Sequence, residues 1–159
     1  MRGSIRLFLL CVAAAALVLP ATSAIGLEPL FKVRASSDKD GPFHVIDEMH
    51  VGVDKTKSAY FRVKSSDDED LHGMMFGDGG TTSPNPEGFT VRWFKGDKNI
   101  TGDVKDAGFE FTIRSDKPTL FRAQVKHVES GGGFCMQGVV TGEPGGASAA
   151  MGVNHECKF

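Results

Sequence analysis

From residue 31 onward the chain alternates apolar and polar positions far more often than it repeats at helical spacing. Phe31, Val33 and Ala35 alternate with Lys32 and Arg34, the period of a strand with one buried face. "FHVIDEMHVGV" (43–53) carries a weaker version, and "AYFRVK" (59–64) sets Phe61 and Val63 on one face. In "FTVRWF" (89–94), Phe89, Val91 and Trp93 fall on one side, and Thr90, Arg92 and Phe94 on the other. "FEFTI" (109–113), "LFRAQVKHV" (120–128), "FCMQGVVTG" (134–142) and "SAAMGV" (148–153) complete about eight candidate strands. Clusters of Gly, Asp, Asn, Pro and Ser separate them, and no strand–helix–strand alternation intervenes. The pattern predicts an all-β chain: an antiparallel β-sandwich of about seven to eight strands. Its expected core is Phe61, Val63, Phe89, Val91, Trp93, Phe111, Ile113, Phe121, Val125 and Val139, where two inner sheet faces meet.

Three stretches fall outside the alternation. Residues 65–88 read as one long irregular loop, and "ESGGG" (129–133) reads as a flexible hairpin tip. The third is the N-terminus: a short basic head, the apolar run "LFLLCVAAAALVLP", and Thr22-Ser23-Ala24 as small residues for a peptidase. This is the three-part pattern of a signal peptide, and the apolar run is shorter than the roughly 20 residues that span a bilayer. The expected organisation is a signal peptide over 1–24 and one domain over 25–159. The mature protein would then be secreted, periplasmic or held at the cell surface, with no membrane span.

Cleavage would leave Cys135 and Cys157 as the two remaining cysteines, and an even count in an exported chain reads as a disulfide. Pro144-Gly145-Gly146 is a turn signal, and a hairpin folded there brings positions 135 and 157 nearly opposite. No C-x-x-C spacing supports a redox or metal pair instead.

The chain has 18 Lys and Arg against 20 Asp and Glu, and Arg2 and Arg6 would leave with the signal. Lys55 and Lys57 are the nearest approach to a cationic cluster, so the sequence points away from nucleic acid. Asp67-Asp68-Glu69-Asp70 is the strongest charge run. Close carboxylates on a loop can wrap Ca²⁺, with Asp78, Asp38 or Asp40 as further ligands, although the alternating ligand spacing of a calcium loop is missing. The run is therefore a candidate binding segment and, in the plainer reading, a solvated acidic loop. The five histidines form neither H-x-H nor H-E-x-x-H, and His127 reads as a rim residue at a strand end. No G-x-S-x-G is present. A carboxylate pair assembled across strands, as in a glycosidase, would be invisible in the sequence. Asn99-Ile100-Thr101 matches the N-glycosylation sequon, just after the turn signal Gly96-Asp97. Thr101 and Val104 read as the lead into the next strand.

The stretch "FTVRWFKGDKNITGDVKDAGFEFTI" together with "TLFRAQVK" resembles a pattern found in immunoglobulin-like β-sandwich modules of secreted bacterial proteins. The aromatic-Gly turn Phe94-Lys95-Gly96, the Asn99-Ile100-Thr101 step and the Gly108-Phe109 strand opening carry the resemblance, which covers about residues 58–153. Ser115-Asp116-Lys117-Pro118-Thr119 stands where that family has a Pro-Gly-Ala turn, and the cysteine pair is not a family feature. The resemblance implies a structural or adhesive module with no catalytic residues. The expectation is a non-enzymatic surface-associated module, without a cofactor, recognising an extracellular protein or glycan through the 65–88 loop or the 129–133 tip. A secreted hydrolase and a Ca²⁺-dependent adhesin are the alternatives.

Overall fold

The computed structural model describes residues 30–66, 68–78, 88–130, 132–142 and 145–157. The expected signal peptide lies outside them. They form a β-sandwich. One sheet contains β1 (Phe31–Ser36), β3 (Thr56–Ser65), β8 (Thr119–His127), β5 (Phe89–Lys95) and β6 (Lys98–Asn99), in the spatial order β1-β3-β8-β5-β6. The other contains β2 (Ile46–Met49), β10 (Gly145–Val153), β9 (Phe134–Gly142), β4 (Leu71–Asp78) and β7 (Phe109–Ile113), in the order β2-β10-β9-β4-β7. Every ladder is antiparallel except β2 with β10, which is parallel. Among the described residues no helix is long and apolar enough to cross a membrane.

The period-2 reading holds closely in the first sheet. Val33, Ala59, Phe61, Val63, Phe121, Ala123, Val125 and Trp93 are buried, while Phe89 and Val91 pack at the margin of the core. The second sheet meets this aromatic face with glycine. A Cβ on Gly138 would stand 2.6 Å from Phe61 Cδ1, and one on Gly77 would collide with the Trp93 indole. Phe61 and Trp93 themselves touch, with ring centroids 5.1 Å apart.

This arrangement explains the strand that the sequence hides. Residues 71–78, expected within a long loop, form β4. Its buried positions are Gly73, Met75 and Gly77, so two of three inward residues have no side chain to announce them. Residues 79–87 of that stretch lie outside the described residues. A second correction concerns β9, where Phe134, Met136, Gly138 and Val140 face the core while Val139 is only half-buried.

Three expected features differ in the connections between strands. Residues 129–133 are not a hairpin tip: they carry the chain from β8 in one sheet to β9 in the other. Gly133 is buried where a Cβ would strike the Val153 and Asn154 backbone. Thr101–Lys105 forms a helical turn, α1, rather than the run-in to a strand, and it buries Val104 beside Ile100 at one end of the sandwich. The β9–β10 hairpin pairs Cys135 with Gly152, not with residue 157. The cysteines still meet, because the chain reverses after Val153 at Asn154, whose φ is +50°. Cys135 and Cys157 sulfurs lie at disulfide distance, with Cα atoms 5.6 Å apart.

Asn154 also fixes the tail through its side chain. Its Oδ1 accepts from the Val51 N–H (2.7 Å), its Nδ2 donates to the Val51 carbonyl (2.9 Å), and its own N–H reaches Met49 O (3.0 Å). His127, expected at the rim, is buried against the same carbonyl: its Nδ1 lies 2.8 Å from Val51 O and its ring stacks on Phe89. Because a carbonyl can only accept, Nδ1 carries the proton.

Two outcomes test this packing. Gly138→Val overfills the sandwich and should cost about 1–3 kcal/mol, of which Phe61→Leu in the same chain recovers part. Chemical denaturation of the two single variants and the double variant reads this, and strict additivity would refute the contact. Asn154→Ala removes two side-chain bonds and strands the Val51 N–H, with an expected loss of about 2–3 kcal/mol by urea unfolding.

Candidate functional site

The acidic run, Asp67 to Asp70, lies at the loop between β3 and β4. Asp67 lies outside the described residues, and Asp68, Glu69 and Asp70 are exposed. Asp70 is engaged in the fold: its Oδ1 accepts from the Ser115 N–H (2.8 Å) and the Ser115 hydroxyl (3.1 Å). Asp38 likewise closes its own turn by accepting from the Asp40 N–H (2.9 Å). Among the described residues no group of three or more His, Cys, Asp or Glu side chains is placed to hold a metal ion. The sequon is folded into the structure too. Asn99 Oδ1 accepts from the Thr101 N–H and hydroxyl, and Thr101 Oγ1 accepts from the Trp93 N–H.

Acid–base groups gather at one place, an open depression of about 380 Å³ lined by Glu48, His50, His155 and Glu156 beside the tail. At the helical end of the sandwich, Lys95 lies over the Phe109 and Phe111 rings (5.5 and 5.4 Å). Partial burial, and then the neighbouring Lys98, hold its ammonium below the ordinary lysine range. The exposed pair Arg114–Asp116 (2.8 Å) raises the guanidinium pKa and lowers that of the carboxyl, chiefly through their mutual hydrogen bond.

The feature that departs most from chance is the distribution of charge between the sheets. The strands β1, β3, β5, β6 and β8 carry ten of the chain's 18 Lys and Arg and not one Asp or Glu. The strands β2, β4, β7, β9 and β10 carry no Lys or Arg, but include Asp47, Glu48, Asp78 and Glu110. Strand alternation sends the polar positions of the first sheet outward. Its outer face therefore presents Lys32 and Arg34 from β1, Arg62 and Lys64 from β3, Arg122 and Lys126 from β8, and Arg92 from β5. Among the described residues none of these seven has a carboxylate within ion-pair distance. The chain as a whole is acidic, at −2.

Aromatic rings are set among these cations. The Arg62 guanidinium lies over the Phe43 ring at 4.2 Å, and Arg122 lies over Phe94 at 4.5 Å. Such stacking holds a guanidinium flat and leaves its N–H edge for an oxyanion. Tyr60 pairs with Arg122 across β3 and β8, and Arg122 pairs with Phe94 across β8 and β5. Arg34 stands directly opposite Arg62, and Lys32 opposite Lys64. Like charges so placed repel, and an anion between them would remove that cost. The face can bind polyvalent oxyanions.

In the sequence these cations come at most in pairs two residues apart, Lys32 with Arg34 and Arg62 with Lys64, the same spacing as Lys55 and Lys57, so no longer run marks the face. The available signal was chemical rather than positional: "KVR", "RVK", "VRW" and "FRAQVK" all put a cation on the polar side of an alternating run.

No family model matches the chain, and no curated protein matches its sequence. Several solved structures are similar to it at the level of coordinates. A family 123 glycoside hydrolase from Clostridium perfringens, studied for glycolipid glycan hydrolysis, aligns at 8% identity and a TM-score of 0.47 over 79% of this chain. The chain spans about a quarter of that enzyme's length (27%). AvmM, which catalyses macrocyclization in alchivemycin A biosynthesis, aligns at 7% identity and a TM-score of 0.40, over 82% of this chain and 92% of its own. Both likenesses are too distant to bear on function.

The repulsion on this face has a measurable consequence. Arg34→Glu puts an opposite charge across from Arg62 and should raise unfolding free energy by about 0.5 kcal/mol at low salt. Urea titrations at two salt concentrations check it. A loss of stability would show that the two cations do not oppose each other.

Proposed function

We propose that this protein is an exported, non-enzymatic binding module that presents the outer face of its β1-β3-β8-β5 sheet to an anionic partner. One observation carries the reading: seven outward cations on one sheet of an acidic chain, without a carboxylate partner among the described residues. Charges spread evenly for solubility would not sort by sheet. Export is supported by the signal-like N-terminus and by a cysteine pair at disulfide distance, which suits an oxidising compartment. The immunoglobulin-like reading is supported by the order β1-β3-β8-β5 facing β4-β9-β10. These correspond to the A-B-E-D and C-F-G strands of such domains. Here β7 departs from that scheme by returning to β4 after β5.

The 65–88 segment no longer serves as the binding loop in this proposal. Its acidic residues would repel the ligand that the basic face attracts. The alternative of a secreted hydrolase would have to use the Glu48, His50, His155 and Glu156 depression, which is shallow and open.

Retention on an immobilised polyanion tests the reading. The purified protein should bind dextran sulfate at low ionic strength, release as salt is raised, and ignore uncharged dextran. Arg62→Gln with Arg122→Gln should elute at markedly lower salt, since two charge-assisted contacts are lost. Failure to bind any polyanion at low salt would overturn it.

A further inference from the structure

The cations on the outer face follow a regular path through the ladders. Lys32 on β1 lies in the row of Lys64, one row away from the Arg34–Arg62 pair. Arg62 on β3 lies in the row of Leu120 on β8, and Arg122 falls in the next row, opposite Tyr60. Arg122 shares its row with Phe94 on β5, and Arg92 falls in the row after that, opposite Gln124. Lys32, Arg62, Arg122 and Arg92 thus descend one strand and one row at each step. With strands about 4.8 Å apart and rows about 6.8 Å apart, each step is roughly 8 Å and the diagonal about 25 Å.

The positions flanking the last two steps are equally ordered. Between Arg62 and Arg122 stand Leu120 on one side and Tyr60 on the other. Between Arg122 and Arg92 stand Phe94 on one side and Gln124 on the other. These two gaps each have one apolar flank and one hydrogen-bonding flank, whereas the Lys32–Arg62 step is flanked by the cations Arg34 and Lys64. Leu120, Tyr60, Phe94 and Gln124 are all half-buried, as suits a contact surface that remains open to solvent.

We infer that the ligand of this face is a linear acidic polysaccharide, laid along the Lys32–Arg62–Arg122–Arg92 diagonal with its carboxylate or sulfate groups on the cations. The sugar rings lie in the two gaps beyond Arg62, where Leu120 takes an apolar C–H face and Tyr60 and Gln124 take hydroxyls. This rests on the proposal that the outer face binds anions, and it adds the polymer's class and direction. Single-stranded nucleic acid is the competing polyanion, and it draws affinity from bases stacked on open aromatic faces. Here the Phe94 and Phe43 rings are already covered by Arg122 and Arg62. Tyr60 is left as a lone platform on these rows, too little for successive bases.

Binding should be measured by titration calorimetry with polygalacturonate, dextran sulfate and a single-stranded DNA oligonucleotide, at matched charge and ionic strength. The expected order places at least one of the two polysaccharides about tenfold or more above the DNA, a difference of about 1.4 kcal/mol. Arg122→Gln with Arg92→Gln, on the diagonal, should weaken polysaccharide binding at least about tenfold. Lys64→Gln with Lys126→Gln, off the diagonal, removes the same charge and should cost about threefold or less. Gln124→Ala should weaken polysaccharide binding while leaving the salt dependence unchanged. Circular dichroism and thermal melting confirm that each variant is folded. Two outcomes overturn the inference yet leave an anion-binding face standing: DNA binding as tight as polysaccharide, or equal losses from on- and off-diagonal pairs. Absence of binding to all three polymers would remove the underlying proposal with it.

Discussion

The contact between two aromatic side chains of one sheet and two glycines of the other sets the distance at which this sandwich closes. Phe61 and Trp93 fill space that Gly138 and Gly77 leave open, and no side chain larger than hydrogen fits beneath them. Sheet faces normally pack about 10 Å apart through interdigitated side chains of similar size. Here the volume at these two contacts is divided unequally, with the rings of Phe61 and Trp93 on one side and glycines of β4 and β9 on the other. The remainder follows. Met75, Met136 and Met151 occupy the irregular space around the rings, and Ile100 with Val104 on α1 closes the end. The arrangement has a cost: the Trp93 indole N–H and His127 Nε2 are buried without a hydrogen-bond partner among the described residues.

The same division of labour accounts for where charge accumulates. A sheet whose inner face carries the bulk of the aromatic core is held rigidly from below. Its outer face can then tolerate like charges in direct opposition, as at Arg34 and Arg62, whose repulsion is small beside the burial of Phe61 and Phe121. Stacking on Phe43 and Phe94 further limits the freedom of two guanidinium groups. A preorganised cation loses less entropy when an anion arrives, which makes the face better suited to recognition than the same residues on a loop.

The tail shows how a termination is made secure without a long hairpin. A reversal at Asn154, three hydrogen bonds to the β2 side and the Cys135–Cys157 pair hold residues 154–157 against the sheet edge. Sequence reasoning found the cysteine partners for the wrong geometric reason. Counting from the Pro144-Gly145-Gly146 turn put residue 157 opposite 135, while the ladder puts Gly152 there and the chain then folds back.

The sequence by itself determined the class of fold and most of its strands. Alternation in β1, β3, β5, β7, β8 and β9 is a local property, written in the side chains that each strand buries. It also determined the charge of each strand, since the absence of acids in β1, β3, β5, β6 and β8 is plain text, although not that these strands share a sheet. What only the tertiary structure decided was which strands are neighbours. β4 was illegible because its inward residues at 73 and 77 are glycines, whose role exists only in relation to Ile113 on the neighbouring strand β7 and Trp93 across the core. The basic face was illegible for the parallel reason. Lys32, Arg62, Arg92 and Arg122 are far apart in the chain, and long-range ladders bring them into one diagonal. Register between distant strands is a cooperative outcome of core packing, so no local pattern could have announced it.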